Sequence, residues 1–168
     1  MSSMEHYIRS TLVALGLLLL QTTFLPFLSV GSYLPDIFLI WIVYIAISRG
    51  QVEATITGFV AGLMQDAVTI QLFGLMALTK TIAGFIAGYF YNDNITAQTL
   101  GSYRFVLIVL LASFVHNIFF FGIFLQGIQD SVFLTMIEFS IASSLYTGVL
   151  ALLPMFTFVR KNRFSQSL

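Results

Sequence analysis

Residues 10–35 read STLVALGLLLLQTTFLPFLSVGSYLP, and no charged side chain interrupts them. A helix that crosses a bilayer takes about 20 mostly apolar residues, so this stretch is long enough to cross. It is longer than the apolar core of a secretory signal, roughly 7–15 residues, and no clear small-residue cleavage site follows it. We therefore expect a retained membrane span over residues 7–30, which Pro26 kinks or ends.

The composition of the whole chain points the same way. Of its 168 residues, 58% are apolar and 8% are charged, whereas a soluble domain carries about 25% charged residues. The lack of cysteine excludes disulfide scaffolds and thiolate metal sites. Zero net charge argues against a nucleic-acid partner, which usually needs a basic face. These properties indicate a small polytopic membrane protein.

The apolar segments predict one membrane domain over residues 1–168, an all-α bundle of six transmembrane helices. The expected spans are 7–30, 34–48, 51–68, 74–91, 103–125 and 131–159. A tight turn is expected over residues 69–74, a polar loop over 92–102 and a second turn over 127–130. Too little chain remains for a separate soluble domain.

The cations orient this bundle. With six crossings, six of them fall on one side: Arg9, Arg49, Arg104, Arg160, Lys161 and Arg163. The opposite loops, near residues 29–33, 69–74 and 126–130, contain no Lys or Arg. Because cytoplasmic loops are enriched in Lys and Arg, we expect both termini in the cytoplasm. The basic tail is expected to meet the anionic head groups of the lipid bilayer.

A five-residue pattern occurs twice. Residues 58–62 read GFVAG and residues 84–88 read GFIAG. Two small residues four apart let helix backbones approach closely, which favours helix packing; a duplicated functional element is the other interpretation. Gly58 and Gly62 share a face with Asp66, and Gly84 and Gly88 share a face with Lys80. The sequence thus predicts an antiparallel hairpin whose outer half is closed by an Asp66–Lys80 ion pair.

Polar residues inside the spans are the candidate functional residues, because such groups are costly in a bilayer and tend to mark buried contacts or pathways. They are Asp36, Asp66, Lys80, His116, Asn117 and Glu138. In the six-span topology most of them lie in the outer half of the bundle. Three interpretations stay open: internal pairs that fix helix register, a ligand or proton site open to the outside, and a docking surface for another membrane helix.

Catalytic and cofactor motifs are absent from the sequence. There is no His-Glu-x-x-His metal motif and no glycine-rich phosphate loop between a strand and a helix. His116 is the only histidine inside a span, and one Ser–His spacing without an oxyanion donor is weak support for a nucleophile. We expect no enzyme activity, no metal and no cofactor.

Several short segments, in this order and spacing, resemble the bacterial rod shape-determining protein MreD family. They are Leu20-Gln21-Thr22-Thr23 with Pro26, Pro35-Asp36, Arg49-Gly50, Gly58-Phe59 with Gly62-Leu63 and Asp66, and Phe73-Gly74. The back half, from Asn92 on, carries no motif that matches, so roles there rest on position.

The resemblance implies a non-enzymatic inner-membrane subunit of the cell-wall elongation complex. Its expected partners are an MreC-like bitopic protein, RodA and its penicillin-binding protein, and indirectly the actin-like MreB. The family is also similar in architecture to the substrate-binding subunits of energy-coupling-factor vitamin transporters, which are six-helix bundles. Such a transporter subunit is the alternative interpretation.

Overall fold

The computed structural model describes residues 3–24, 27, 33–69, 72–124 and 132–165, and for 3–11, 132 and 160–165 it describes the backbone alone. The helices in these ranges are α1 Ser3–Thr23, α2 Ile37–Arg49, α3 Gln51–Val68, α4 Leu75–Gly88, α5 Thr96–Leu100, α6 Tyr103–Phe124 and α7 Val132–Ser165. The described residues contain no β-strand, which confirms the all-α class.

The helix bounds differ from the expected spans mainly at the ends of elements. Helix α1 begins earlier than the expected span and ends at Thr23. Residues 25, 26 and 28–32 lie outside the described part of the chain. The turn expected at 127–130 lies outside it as well. Helix α4 stops at Gly88 because Tyr89 and Phe90 donate to carbonyls only three residues back, which tightens the chain into a turn. Helix α7 continues through the basic residues to Ser165.

The segment expected to be a polar loop, residues 92–102, is largely helical. The Asn92 side chain accepts a hydrogen bond from the Asn94 N–H and starts a 3₁₀ turn over Asp93–Ile95. Helix α5 follows at once, and it buries Thr99 and Leu100 against the bundle. The Asn and Thr residues indicated a loop by composition, but here Asn92 caps the 3₁₀ turn and the Thr96 hydroxyl donates to the Asn92 carbonyl at 3.0 Å.

Helix α2 lies at the centre of the fold. It packs against each of the other described helices. Most of its side chains are buried: Phe38, Leu39, Ile40, Ile42, Val43, Ile45, Ala46 and Ile47. The partly exposed Ile37, Trp41, Tyr44 and Ser48 form the remaining stripe. A helix that is apolar all round belongs in the interior, and α2 is such a helix. One residue, Gly50, joins α2 to α3 with a φ of 94°, a conformation that favours glycine.

Helices α3 and α4 form the most intimate contact of the fold. A Cβ on Gly58 would overlap the Lys80 carbonyl group, and a Cβ on Gly62 would overlap the Ala77 backbone. Gly84 meets the Ala54 backbone in the same way, and Gly88 meets Gln51. All four glycines of the repeated pattern therefore lie where one backbone touches the other.

Within the described residues, two segments are long and apolar enough to cross a membrane: Tyr103–Phe124 and Phe133–Val159. Leu12–Thr23, Ile37–Arg49 and Leu75–Gly88 are shorter apolar helices. The 13 residues of α2 span only about 20 Å, less than the roughly 30 Å hydrocarbon core, because a helix rises about 1.5 Å per residue.

Candidate functional site

Asp36 organises the polar interior. It is the N-cap of α2, and its Oδ1 accepts hydrogen bonds from the Leu39 N–H (3.3 Å) and from Gln21 Nε2 of α1 (3.2 Å). The Asp36 N–H donates to the Thr147 hydroxyl of α7 at 3.1 Å. A single carboxyl residue thus ties α1, α2 and α7 together at one end of the bundle.

Lys80 of α4 is the charge partner of Asp36. Its side chain is fully buried, its Nζ donates to Asp36 Oδ2, and the ammonium lies 5.9 Å from the centre of the Phe38 ring. His116 of α6 approaches the same oxygen, with Nε2 at 3.8 Å. We call Gln21, Asp36, Lys80 and His116 the polar cluster; they come from α1, the N-cap of α2, α4 and α6.

The expected Asp66–Lys80 ion pair is wrong. Asp66 instead accepts three backbone N–H groups at the start of α4, from Gly74 (3.1 Å), Met76 (3.1 Å) and Ala77 (3.0 Å). Those donors have no partner within their own helix, and a carboxylate also suits the positive end of the helix dipole. The Lys80 amine, one turn further into α4, reaches the N-terminus of α2 instead.

Asn117 is next to His116 on α6 and lies in a neutral network. Its Nδ2 donates to Ser113 at 3.3 Å and to Ser144 of α7 at 3.2 Å. Ser113, Ser144 and Asn117 are all buried. The network joins α6 to α7 through hydroxyl and amide groups and needs no charge.

Glu138 lies apart from the other candidates. It is on the exposed face of α7, where Tyr33 donates to its Oε1 at 3.3 Å, and it contacts none of the polar cluster through a hydrogen bond in the described structure. The six candidates therefore divide into three positions: the polar cluster with neighbouring Asn117, the Asp66 cap, and the exposed Glu138.

A cavity of about 590 Å³ opens beside the polar cluster. It lies where α1, α3 and α6 end and where α2 and α4 begin. Its polar wall includes Asp36, Gln65, His116 and Asn117, and Phe120, Phe121 and Phe124 are among its apolar lining residues. A separate groove of about 400 Å³, next to Trp41 and Tyr44, is lined almost wholly by apolar side chains.

Three uncharged residues of this site were not among the predicted candidates. They are Gln21, Gln65 and Thr147, and Gln21 was part of the motif that carried the resemblance. The available signal was a polar side chain inside an apolar helix, since such a group must find a partner when it is buried. Among the described residues, no group of three His, Asp or Glu side chains is arranged to hold a metal ion.

Comparison with protein families decides the classification. The family model described as rod shape-determining protein MreD matches residues 4–162. The chain belongs to the MreD family. No curated protein matched the chain, and no solved structure did so either.

Membership in the MreD family makes the chain a membrane component of the bacterial rod-shape complex, located at the inner membrane. Proteins of this family determine shape and are not known as enzymes. The match spans the back half of the chain as well, where no motif was apparent from the sequence. It gives no support to the transporter alternative.

Proposed function

We propose that this MreD-family chain is a six-span, non-enzymatic subunit of the cell-wall elongation complex, with both termini in the cytoplasm. It binds an MreC-like bitopic protein and, with it, RodA and the penicillin-binding protein, and so connects indirectly to MreB. The observation that carries this proposal is the family match over residues 4–162.

The positions of the cations support the proposed orientation. Arg49 lies at the end of α2, Arg104 at the start of α6, and the basic residues 160–163 at the end of α7. In an alternating bundle these positions share one end, and the cavity lies at the other. The positive end faces the cytoplasm under the positive-inside rule. Tyr89 and Tyr103 are exposed at the same end, as tyrosines at a membrane interface commonly are.

The polar cluster has a structural role in this proposal. Asp36 is bonded to residues of α1, α4 and α7, and His116 brings α6 to the same carboxylate. A buried carboxylate with one cation and several hydrogen bonds is satisfied only in one arrangement of these helices. The cluster thereby fixes helix register, so that the outward faces present one constant surface to partners.

The contact surface for a partner helix lies outside the glycine hairpin, because α3 and α4 already use all four glycines against each other. Helix α1 instead has a face that is exposed within the described part of the chain. Leu12, Leu15 and Leu19 are exposed, and a Cβ on Gly16 would meet no atom within 4 Å. These positions recur at intervals of three and four residues and so form one stripe. We assign this α1 stripe to the single helix of the bitopic partner.

Photo-crosslinking with affinity capture tests the assignment. A photoreactive amino acid is placed at Leu15 in the α1 stripe or, as the control, at Phe59, which is exposed on α3. Capture in mild detergent, followed by mass spectrometry, should recover an MreC-like protein cross-linked at Leu15 and not at Phe59. Equal cross-linking at both positions would exclude the α1 stripe as the specific surface.

The same capture tests the wider function. Recovery of the wall synthases together with the bitopic protein is expected, and depletion of the chain in a rod-shaped host should produce round cells. Recovery of a membrane coupling subunit with ATPases, and normal cell shape after depletion, would instead identify a transporter subunit.

A further inference from the structure

An apolar groove lies on the side of the bundle between α1 and α7, and α2 forms its floor. The floor is the stripe of α2 with Ile37, Trp41 and Tyr44, which the other described residues leave partly exposed. We call this feature the Trp41 groove. Its walls include Val13 and Leu17 of α1, Phe105 of α6, and Leu153 and Phe158 of α7.

The lining of the Trp41 groove suits hydrocarbon. Its volume is about 400 Å³, and its lining is almost wholly apolar. Apolar cavities exclude water and take up apolar molecules. Two of the lining residues, Val13 and Leu153, are exposed, so the groove is open on the side that faces the bilayer of a membrane component. A lipid acyl chain is therefore an occupant that the surroundings supply.

The length of the groove also favours an acyl chain. On α7 the lining extends from Leu150 to Phe158, about 12 Å along the helix axis. A partner helix that crosses the membrane packs along a hydrocarbon core of roughly 30 Å. The groove covers less than half of that length, and it follows the helix axes as the acyl chain of a lipid does.

Cations surround one end of the groove. The rings of Phe105 and Phe158 meet there, with their centroids 6.4 Å apart. The exposed Arg104 directly precedes Phe105. The basic residues 160–163 follow Phe158 on the same continuous helix, within about 8 Å along its axis. Arg9 lies on α1, one turn before the first residue of the groove.

The charge balance at this end is positive. In the alternating bundle, six Lys and Arg residues share the end with three acidic residues, Glu5, Glu53 and Asp93. Glu53 is bonded to Arg49. Each Lys or Arg near a bilayer surface strengthens the attraction for anionic lipids, and arginine binds phosphate through several N–H donors. The cations thus favour a lipid whose head group is anionic.

We propose that the Trp41 groove binds one acyl chain of an anionic phospholipid, with the head group at the end marked by Arg104 and the basic residues 160–163. The acyl chain fills the gap between α1 and α7, two helices with few direct contacts in the described structure. The proposal needs no partner protein, and it concerns residues other than the α1 stripe.

Trp41 is the only tryptophan of the chain, so its fluorescence reports on the groove. Bromine atoms on an acyl chain quench tryptophan fluorescence at close contact. The purified full chain is placed in nanodiscs that contain dibrominated phosphatidylglycerol in unlabelled phosphatidylcholine, and then the reverse. The fluorescence should show a preference of at least about tenfold for phosphatidylglycerol, weaker at high salt. Equal quenching by both lipids would identify ordinary bilayer contact and overturn the proposal. Quenching by neither would show that protein covers the groove, for example a second copy, and would overturn it too.

Two pairs of variants locate the lipid. Val13→Phe fills the groove from an exposed position and should reduce the preference for phosphatidylglycerol at Trp41, whereas Val149→Phe, the same change at an exposed residue of α7 outside the groove, should not. Arg104→Gln should lower the preference about threefold or more. Arg49→Gln, which removes a cation bonded to Glu53, should lower it less. An unchanged preference in Val13→Phe, or equal losses in the two arginine variants, would refute the site.

The result is separable from the proposed function. Nanodiscs present the same lipids to both ends of the bundle, so the measurement depends on neither the orientation in the cell nor an MreC-like partner. Loss of cross-linking at the α1 stripe would leave the lipid preference as it is.

Discussion

At the scale of single residues, the interior of the protein depends on which carboxylate receives which donor. Asp36 and Asp66 are both near the outer end of the expected topology, and both were possible partners for Lys80. The structure gives Asp36 the ammonium and Asp66 the three backbone N–H groups of α4. The choice matters because removing one member of a buried pair leaves the other charge without compensation.

Lys80→Met is therefore expected to destabilise the fold through Asp36. In soluble proteins, such a loss costs about 3–5 kcal/mol, and interactions between membrane helices can be weaker. Thermal melting in detergent should show a lower Tm for Lys80→Met, and the added change Asp36→Asn should recover part of it. The added change Asp66→Asn should recover none. A recovery by Asp66→Asn in place of Asp36→Asn would identify Asp66 as the true partner.

At the scale of elements, the α3–α4 hairpin is held by a cap at one end and by glycines along its length. Gly74, the N-cap of α4, has no side chain to offer, so Asp66 provides the cap from the preceding helix. This arrangement satisfies the first turn of α4 inside the protein, where water cannot be relied on to do so.

Asp66→Ala should remove this cap from the N-terminus of α4 and so destabilise the fold. Three backbone donors lose their acceptor. The bond from Ala77 is buried and those from Gly74 and Met76 are partly buried, and an unsatisfied buried group costs about 1–3 kcal/mol. The matched control is Glu53→Ala on the same helix. Glu53 is exposed and forms an ion pair with the half-buried Arg49 at 3.5 Å, a contact worth less than about 1 kcal/mol near the surface. The melting temperature in detergent should fall clearly for Asp66→Ala and hardly change for Glu53→Ala. Equal decreases for the two variants would argue against the cap.

The glycine contact gives a second prediction at this scale. Gly62→Ala places a methyl group against the Ala77 backbone and should cost about 1–3 kcal/mol through overpacking. Gly16→Ala meets no atom within 4 Å, and alanine favours a helix over glycine by up to about 1 kcal/mol. The two substitutions should therefore shift Tm in opposite directions. A Gly62→Ala protein as stable as the parent would show that α3 and α4 do not touch there.

At the scale of the whole molecule, hydropathy located the helices better than it located their contacts. The first residues of α3 and α6, Gln51 and Tyr103, follow from the pattern because a charge or loop precedes each apolar run. The Lys80–Asp36 contact does not follow, since it depends on how α2 is rotated against α4. Helix α5 was missed because short Asn- and Thr-rich segments serve equally as loops and caps.

The six-span topology is a property of the whole chain, and cysteine labelling can test the crossing of α4 and the orientation of the bundle because the native sequence contains no cysteine. Leu72, between α3 and α4, and Asn94, between α4 and α5, are both exposed. If α4 crosses once, the two positions lie on opposite sides of the membrane. The basic residues at the Asn94 end assign that end to the cytoplasm.

A membrane-impermeant maleimide should label Leu72→Cys in spheroplasts, whereas Asn94→Cys should react only after permeabilisation. Labelling of both in sealed spheroplasts would mean that α4 does not cross, and the reverse pattern would invert the bundle and place the cavity on the cytoplasmic side.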